Sequence, residues 1–228
     1  NGTLVKNHLD MLKKVDSVAI SLDGIGQAND LNRGAGTYEK IMAGIEALHA
    51  AKINFHSHTV LTKNNRDEVP DILALAKKFK FRAQFSLLRV EDSPNKNLGL
   101  SDDDLAAVVR KILEYKRLGY PVFFSTEAYE NYLSWPLSST QQIIWDKTPS
   151  GFTPIPCYIK QFACHIEANG NVYPCIVLVN KMKVLNFLEV GFKECWDSLG
   201  QNRCLACHNI CCNDLNLVFG LRMASLVN

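Results

Sequence analysis

Apolar positions along the first 125 residues alternate between two rhythms. Val15 to Leu22 is a β-branched, apolar run ending at Asp23-Gly24, which predicts a buried strand followed by a loop. Ile53 to Leu61 and Phe81 to Val90 repeat that pattern and predict a second and a third strand, and Pro121 to Ser125 predicts a shorter fourth. Between these runs the spacing changes to that of helices. Ile41, Ile45 and Leu48 line one face behind Thr37, an N-cap residue. Val69, Ile72, Leu73, Ala76 and Phe79 line the next, with Asn65 and Glu68 in a capping-box arrangement at its start. Leu105, Val108, Val109, Ile112 and Leu113 line the third, with Ser101 and Asp104 capping it and Gly119 as its stop. Gly24, Gly26, Gly34 and Gly36 predict that residues 23–36 form a flexible loop.

Strands alternating with helices at this spacing imply a parallel sheet with right-handed crossovers. In such α/β folds the functional groups gather at the C-terminal ends of the strands. Those ends carry Ser21, Asp23, Thr62, Lys63, Asn64 and the segment Leu87 to Val90. On the second strand the period of two sends Ile53 and Phe55 toward the helices. Asn54, His56 and His58 then point to the interior, where Arg82, Gln84 and Ser86 of the next strand join them. His56 and His58 are candidates to touch a substrate or cofactor. The competing reading is two hydrogen-bonded interior histidines; as a metal pair they have no evident third ligand.

Beyond Thr126 the alternation stops. Residues 126–156, with Trp135, Trp145, Pro136, Pro149, Pro154 and Pro156, read as a bridge. Residues 157–228 read as a small cysteine-rich α+β module. The expected layout is therefore an incomplete β/α barrel over residues 1–125, the bridge, and the module.

Composition narrows the function classes. The chain has 228 residues, is 47% apolar and 21% charged, and carries a net charge of +2. That charge is too small to argue for nucleic acid, and no basic run interleaves with aromatics. No apolar run is long enough to span a bilayer. Eight cysteines in a long chain with no visible signal peptide point to metal binding in a reducing compartment, hence the cytoplasm, rather than to disulfides. The chain starts at Asn1-Gly2-Thr3 rather than at Met and reads as a fragment or a truncated form.

Seven of the eight cysteines fall into two pieces. One runs from Cys157 through Cys164 and Gly170 to Cys175; the other holds Cys204, Cys207, Cys211 and Cys212. Asn169-Gly170-Asn171 is a hairpin turn, because Gly and Asn tolerate positive φ. The hairpin would return Cys175 beside Cys157 or Cys164, and Cys204-x-x-Cys207 would supply two more thiolates from one turn. A four-thiolate site suits zinc or an iron–sulfur cluster equally well on geometry alone. Cys211 and Cys212 are adjacent, and neighbours rarely both ligate one metal. Cys195, beside Trp196 on a predicted helix, reads as core. His165 and His208 could ligate zinc, but the thiolates already suffice.

Five segments carry a resemblance. Ser21-Leu-Asp-Gly24, Arg33-Gly34-x-Gly36-Thr37-Tyr38 and Val60-Leu-Thr-Lys-Asn64 resemble the second half of a radical SAM barrel. Asn1-Gly2-Thr3-Leu4 resembles the end of that family's third strand. Cys157-x12-Gly170-x4-Cys175 followed by Cys204-x-x-Cys207 resembles the family's C-terminal cluster-binding extension, nearer the short Twitch form than the full SPASM form.

The resemblance implies an oxidoreductase-like chemistry. A [4Fe-4S] cluster on a CxxxCxxC loop reduces S-adenosylmethionine, and the resulting 5′-deoxyadenosyl radical takes hydrogen from a substrate. It implies that Ser21 and Arg33 hold the methionine carboxylate, with Asp23 holding the loop or a ribose hydroxyl. It implies an auxiliary [4Fe-4S] cluster on Cys157, Cys175, Cys204 and Cys207, with Cys211 as the replacement for any of them. It also implies an electron donor and a substrate that is a peptide or a small molecule. The sequence departs from the pattern in three ways. It has no CxxxCxxC loop and no Gly-Gly-Glu-Pro-like segment, and Asn29 stands where the family's His-Asp-x-x-Arg-Gly has its His. The reading expects the two missing segments to lie before Asn1, so that these residues alone are inactive. A zinc-stabilised, non-catalytic binding or maturation module is the alternative.

Overall fold

The computed structural model describes residues 1–89, 95–201 and 204–222, and the chain divides into two units, Asn1–Tyr129 and Glu130–Asn228. Val90, the last residue of the expected third strand, lies outside the described residues. No helix among the described residues is long and apolar enough to cross a membrane.

The first unit contains, in order, α1 (Leu9–Leu12), β1 (Val18–Ser21), α2 (Gln27–Arg33), α3 (Thr37–Ala50), β2 (Phe55–Leu61), α4 (Val69–Phe79), β3 (Arg82–Leu87) and α5 (Asp102–Arg117). The division between units falls inside α6 (Thr126–Leu133). The strands form a parallel sheet in the order β1-β2-β3, the α/β partial-barrel arrangement expected from the alternation. The expected fourth strand is reduced to one bridge. Ala83 donates to Pro121 and accepts from Phe123, pairing in parallel with Val122.

The helix faces match their apolar spacing. Ile41, Ile45 and Leu48 of α3, the five apolar positions of α4 and the five of α5 are buried. Each such side chain removed from water contributes roughly 1.5–3 kcal/mol. On β2 burial alternates strictly: Phe55, Ser57, Thr59 and Leu61 are buried, while His56, His58 and Val60 are half-buried on the opposite face.

Three local expectations are corrected. Residues 23–36 are not a flexible loop, because α2 occupies Gln27–Arg33. The glycines serve the turns around that helix: Gly24 has φ +142°, and a Cβ there would meet Ala28 Cβ at 2.8 Å. Thr37 does not cap α3; Gly36 holds the cap position and the Asp30 carboxylate accepts from Gly36 N at 2.6 Å and Tyr38 N at 2.8 Å. Those backbone donors, Tyr38 first, hold the Asp30 carboxyl below its ordinary range. Asn65 does not start α4, which begins at Val69; Glu68 instead reaches Ile25 N at 2.9 Å. Ser101 does cap α5, accepting from Asp104 N at 3.2 Å.

The second unit has β4 (Ile143–Ile144), α7 (Ile159–Phe162), β5 (His165–Ile166), β6 (Val172–Tyr173), α8 (Phe187–Val190), α9 (Phe192–Ser198), β7 (Ala206–Cys207) and α10 (Ile210–Phe219). Of residues 126–156, read as a bridge, 130–156 lie in this unit and supply β4, which pairs antiparallel with β7. β5 and β6 form the expected hairpin around Asn169-Gly170-Asn171, with Gly170 at φ +92°. Asn186 locks it by donating to Asn169 O at 2.8 Å and Asn171 Oδ1 at 3.1 Å.

Candidate functional site

At the C-terminal end of β1 the chain turns into α2, and two polar side chains pin the turn. Asn29, fully buried, accepts from Asp23 N at 3.0 Å and donates to Thr37 Oγ1 at 3.1 Å. Asn65, also buried, donates to Asp23 O at 2.9 Å and Val60 O at 2.8 Å and accepts from Thr62 N at 2.7 Å. The ends of β1 and β2 are thus tied together by one amide. Sequence reading missed this role, since an asparagine three residues before a Glu looks like a helix start.

Asp23 sits between those ties. Its Oδ1 accepts from Val60 N at 2.8 Å and its Oδ2 lies 2.7 Å from Arg33 Nε. The pair engages the inner nitrogen of the guanidinium. Among the described residues no hydrogen bond is found to either Nη, and the Arg33 side chain is 24% exposed. Ser21 stands directly across the sheet from His58, and His58 across from Gln84. His58 Nε2 lies 3.0 Å from Ser86 Oγ. Burial pushes the His58 ring below its ordinary value; the nearby Asp23 carboxylate works against that and Arg33 works with it. His58 therefore presents a neutral imidazole in the polar layer that holds Ser21, Asp23, Arg33 and Ser86.

His56 lies one layer lower, across from Ala19 and Arg82. Its Nδ1 is 3.4 Å from Ser17 Oγ, and its ring stacks at 4.6 Å on Phe123, which Arg82 covers from 4.4 Å. Burial first, then Arg82 and His58, lower its pKa. Phe123 was not singled out from sequence. The other strand-end residues shape loops: Lys63 Nζ donates to Asn97 O at 3.0 Å, and Asn64 Nδ2 to Asn32 Oδ1 at 3.0 Å.

The cysteines of the second unit sort into two groups. Ile143, Ile159, Val177, Leu178 and Cys212 form one apolar cluster, and Cys157, Cys175, Cys204 and Cys207 all pack against it. Val172, Cys195 and Leu199 form another, against which Cys164 packs; burial raises the Cys164 thiol. Cys195 is fully buried there. In the first group the neighbouring Cys175 and Cys207 thiols, and then burial, push the Cys212 thiol well above its ordinary value. Cys211, exposed as a residue, has a thiol raised first by burial of the sulfur, then by Asp214 and Cys207.

Cys207 is held by Asn213, which donates to its carbonyl at 2.9 Å, and Cys212 N donates to the helix cap Asn209 at 3.0 Å. His208 is turned away, with Nε2 2.8 Å from Ser139 O and its ring against Tyr132 and Trp135. Among the described residues no group of three or more His, Cys, Asp or Glu side chains is placed to hold a metal ion. The donor chemistry still fits iron–sulfur or zinc, because the converging atoms are thiols on an apolar bed.

Residues 1–76 match the family model of the radical SAM superfamily. Over 214 residues the chain is 26% identical to a cysteine-type anaerobic sulfatase-maturating enzyme of Clostridium novyi (strain NT), covering 87% of this chain and 54% of that protein. It therefore spans about half the length of that relative. A pre-heme d1 synthase of Dinoroseobacter shibae is 34% identical over 79 residues, 33% of this chain and 20% of that one.

Among solved structures, anSMEcpe with bound AdoMet superposes with a TM-score of 0.59 at 18% identity, covering 100% of this chain and 73% of that one. SuiB of Streptococcus suis gives 0.58 at 16%, covering 85% and 47%. These likenesses are of fold. The match to the radical SAM superfamily's model covers residues 1–76, which hold β1 and β2 of the parallel sheet.

Proposed function

We propose that this chain is part of a radical SAM enzyme, in which residues 1–125 form the C-terminal part of the barrel and residues 157–228 a SPASM- or Twitch-like module for an auxiliary [4Fe-4S] cluster. The observation that carries the reading is the polar layer of Ser21, Asp23, Arg33 and His58, in a segment matched by the superfamily's model. In the complete enzyme a [4Fe-4S] cluster held by residues outside these 228 would supply the electron for reductive cleavage of S-adenosylmethionine, whose methionine carboxylate Ser21 and Arg33 would hold.

This chain's own residues bind and orient. Arg33, fixed by Asp23, offers its outer edge to the methionine carboxylate, with the Ser21 hydroxyl beside it. Asp23 is occupied by Val60 N and Arg33 and acts as a brace rather than a base. His58, neutral near pH 7, lines the layer as a hydrogen-bonding group for substrate or cofactor. Cys157, Cys175, Cys204 and Cys207, with Cys211 in reserve, are the thiols offered to the auxiliary cluster. The electron donor is another protein, the compartment is reducing and hence cytoplasmic, and the substrate is a peptide or small molecule. The relative named for sulfatase maturation favours a peptide.

The sequence has no CxxxCxxC loop, so the reductive cluster belongs to residues outside these 228. The chain alone then binds S-adenosylmethionine weakly and does not cleave it. The test is the longer protein that includes its own upstream residues, reconstituted anaerobically with iron and sulfide and given dithionite and S-adenosylmethionine. 5′-Deoxyadenosine is expected, and less of it from Arg33→Ala. Iron-loaded protein that forms none would overturn the reading.

A further inference from the structure

We propose that a groove at the N-terminal end of the sheet, between the last turns of α3 and α4, docks an acidic peptide segment of a partner protein through Lys52 and Lys80. The groove lies at the opposite end of the strands from Ser21, Asp23 and Arg33, so the proposal does not rest on the reading of that site.

The two helices end in the same way. After each last turn a lysine takes the left-handed conformation, with φ +55° at Lys52 and φ +57° at Lys80. The apolar residue that follows bonds back into the helix: Ile53 N donates to Leu48 O and Phe81 N to Ala76 O, both at 3.0 Å. This is the Schellman closure, whose left-handed position favours glycine because a Cβ strains it. Both positions hold lysine instead. A cation also suits the negative end of a helix, but the last turns already carry His49 in α3 and Lys77 and Lys78 in α4. Two neighbouring helix-to-strand connections thus present an exposed lysine each, at matching places.

The lysines flank a groove of about 510 Å³. Ile53, Phe55 and Phe79 give it an apolar floor, and no Asp or Glu is among the residues that line it. His49 Nδ1 donates to Phe79 O at 2.9 Å, since a carbonyl only accepts, and this fixes the imidazole on one wall. Lys78 Nζ stands 5.0 Å from the centre of the Phe79 ring, which adds a further cation beside the groove. An apolar floor rimmed by cations is complementary to a chain with carboxylates on either side of one apolar side chain. With a net charge of only +2 for the whole chain, these cations form a local patch rather than the continuous track that a nucleic-acid backbone follows.

The experiment titrates residues 1–228 into a fluorescein-labelled peptide in which glutamates flank one phenylalanine, read by fluorescence anisotropy at low salt. Saturable binding that weakens as salt rises is expected. The double variant Lys52→Gly, Lys80→Gly keeps the backbone, because glycine accepts the left-handed conformation, so its melting temperature is not expected to fall. It is expected to bind at least about tenfold more weakly, the sum of two exposed ion pairs at the upper end of their range. Lys52→Arg, Lys80→Arg is expected to bind as the parent does. A peptide with glycine in place of its phenylalanine is expected to lose about tenfold as well.

No saturable binding, or equal binding by the parent and the double glycine variant, would overturn the proposal. Equal binding of the peptide without phenylalanine would show charge attraction alone and overturn the groove as its seat. Tighter binding of oligo-dT, or of phosphatidylserine vesicles, than of the acidic peptide would overturn the class of partner.

Discussion

Arg33 Nε lies 2.7 Å from Asp23 Oδ2, and the other oxygen of the same carboxylate accepts from Val60 N at 2.8 Å. One side chain from the end of β1 thus joins the helix that follows it to the neighbouring strand. Replacing Arg33 with Ala leaves a carboxylate that is almost fully buried with a single backbone donor. The cost expected is about 2–3 kcal/mol, between that of a charged hydrogen bond and that of a fully buried ion pair. Urea unfolding measures it. A change within a few tenths would show that the pair is no brace.

The interior histidines give the fold a pH dependence of definite sign. His56 and His58 both have folded-state values below the ordinary 6.5, chiefly through burial. The folded state therefore binds fewer protons than the unfolded one near and below that value. The stability is present in full above pH 6.5 and is lost as the pH falls through 6.5 toward the folded values. Thermal unfolding between about pH 7.5 and about pH 5.5 is expected to show a falling midpoint across the ordinary histidine range, with a shallower fall in the His56→Gln, His58→Gln variant. An equally steep fall in that variant would place the titration elsewhere.

Gly44 tests how the first residues pack. A Cβ at Gly44 would sit 2.7 Å from Gly2 O and 3.1 Å from Val5 Cβ, so residues 1–5 would have to move off α3. Ala should favour the helix by about 1 kcal/mol, but overpacking against backbone costs about 1–3 kcal/mol. Gly44→Ala is expected to be neutral to destabilising and to speed amide exchange of Val5 and His8, whose N–H groups bond to Gly2 O and Val5 O. Clear stabilisation with unchanged exchange would contradict the packing.

How much was legible in the sequence follows from which forces are local. The faces of α3, α4 and α5 and the alternation on β2 were readable because burial repeats at the period of the element. The Ser101 cap and the Gly170 hairpin were readable because their partners lie within a few residues. Helix α2 was hidden by the glycines at both of its ends, which raise apparent flexibility while only shaping turns. Asn29 and Asn65 were hidden because their bonds reach across the fold to Asp23, Thr37 and Val60. Spacing could not tell Cys211 from Cys212, because it says only which cysteines are close in sequence. Which of two adjacent thiols faces inward is decided by the cap at Asn209 and the packing of α10.

The hairpin can be broken at one atom. A Cβ on Gly170, at φ +92°, would lie 2.6 Å from Asn186 Oδ1 and 3.0 Å from Leu188 side-chain carbons. The left-handed conformation alone costs a non-glycine residue about 1–2 kcal/mol. Gly170→Ala is expected to displace Asn186, loosen the turn that leads to Cys175, and reduce iron taken up on reconstitution. Unchanged uptake with an unchanged melting temperature would mean that the turn does not position Cys175.

If the thiols of the second unit hold an iron–sulfur cluster, metal analysis of this chain will show it. Residues 1–228, reconstituted without oxygen and desalted, are expected to contain about four iron and four sulfide per chain, with the broad absorbance of a thiolate-ligated [4Fe-4S] cluster. Near-stoichiometric zinc with no iron or sulfide would contradict that reading and leave a zinc-stabilised binding module in its place.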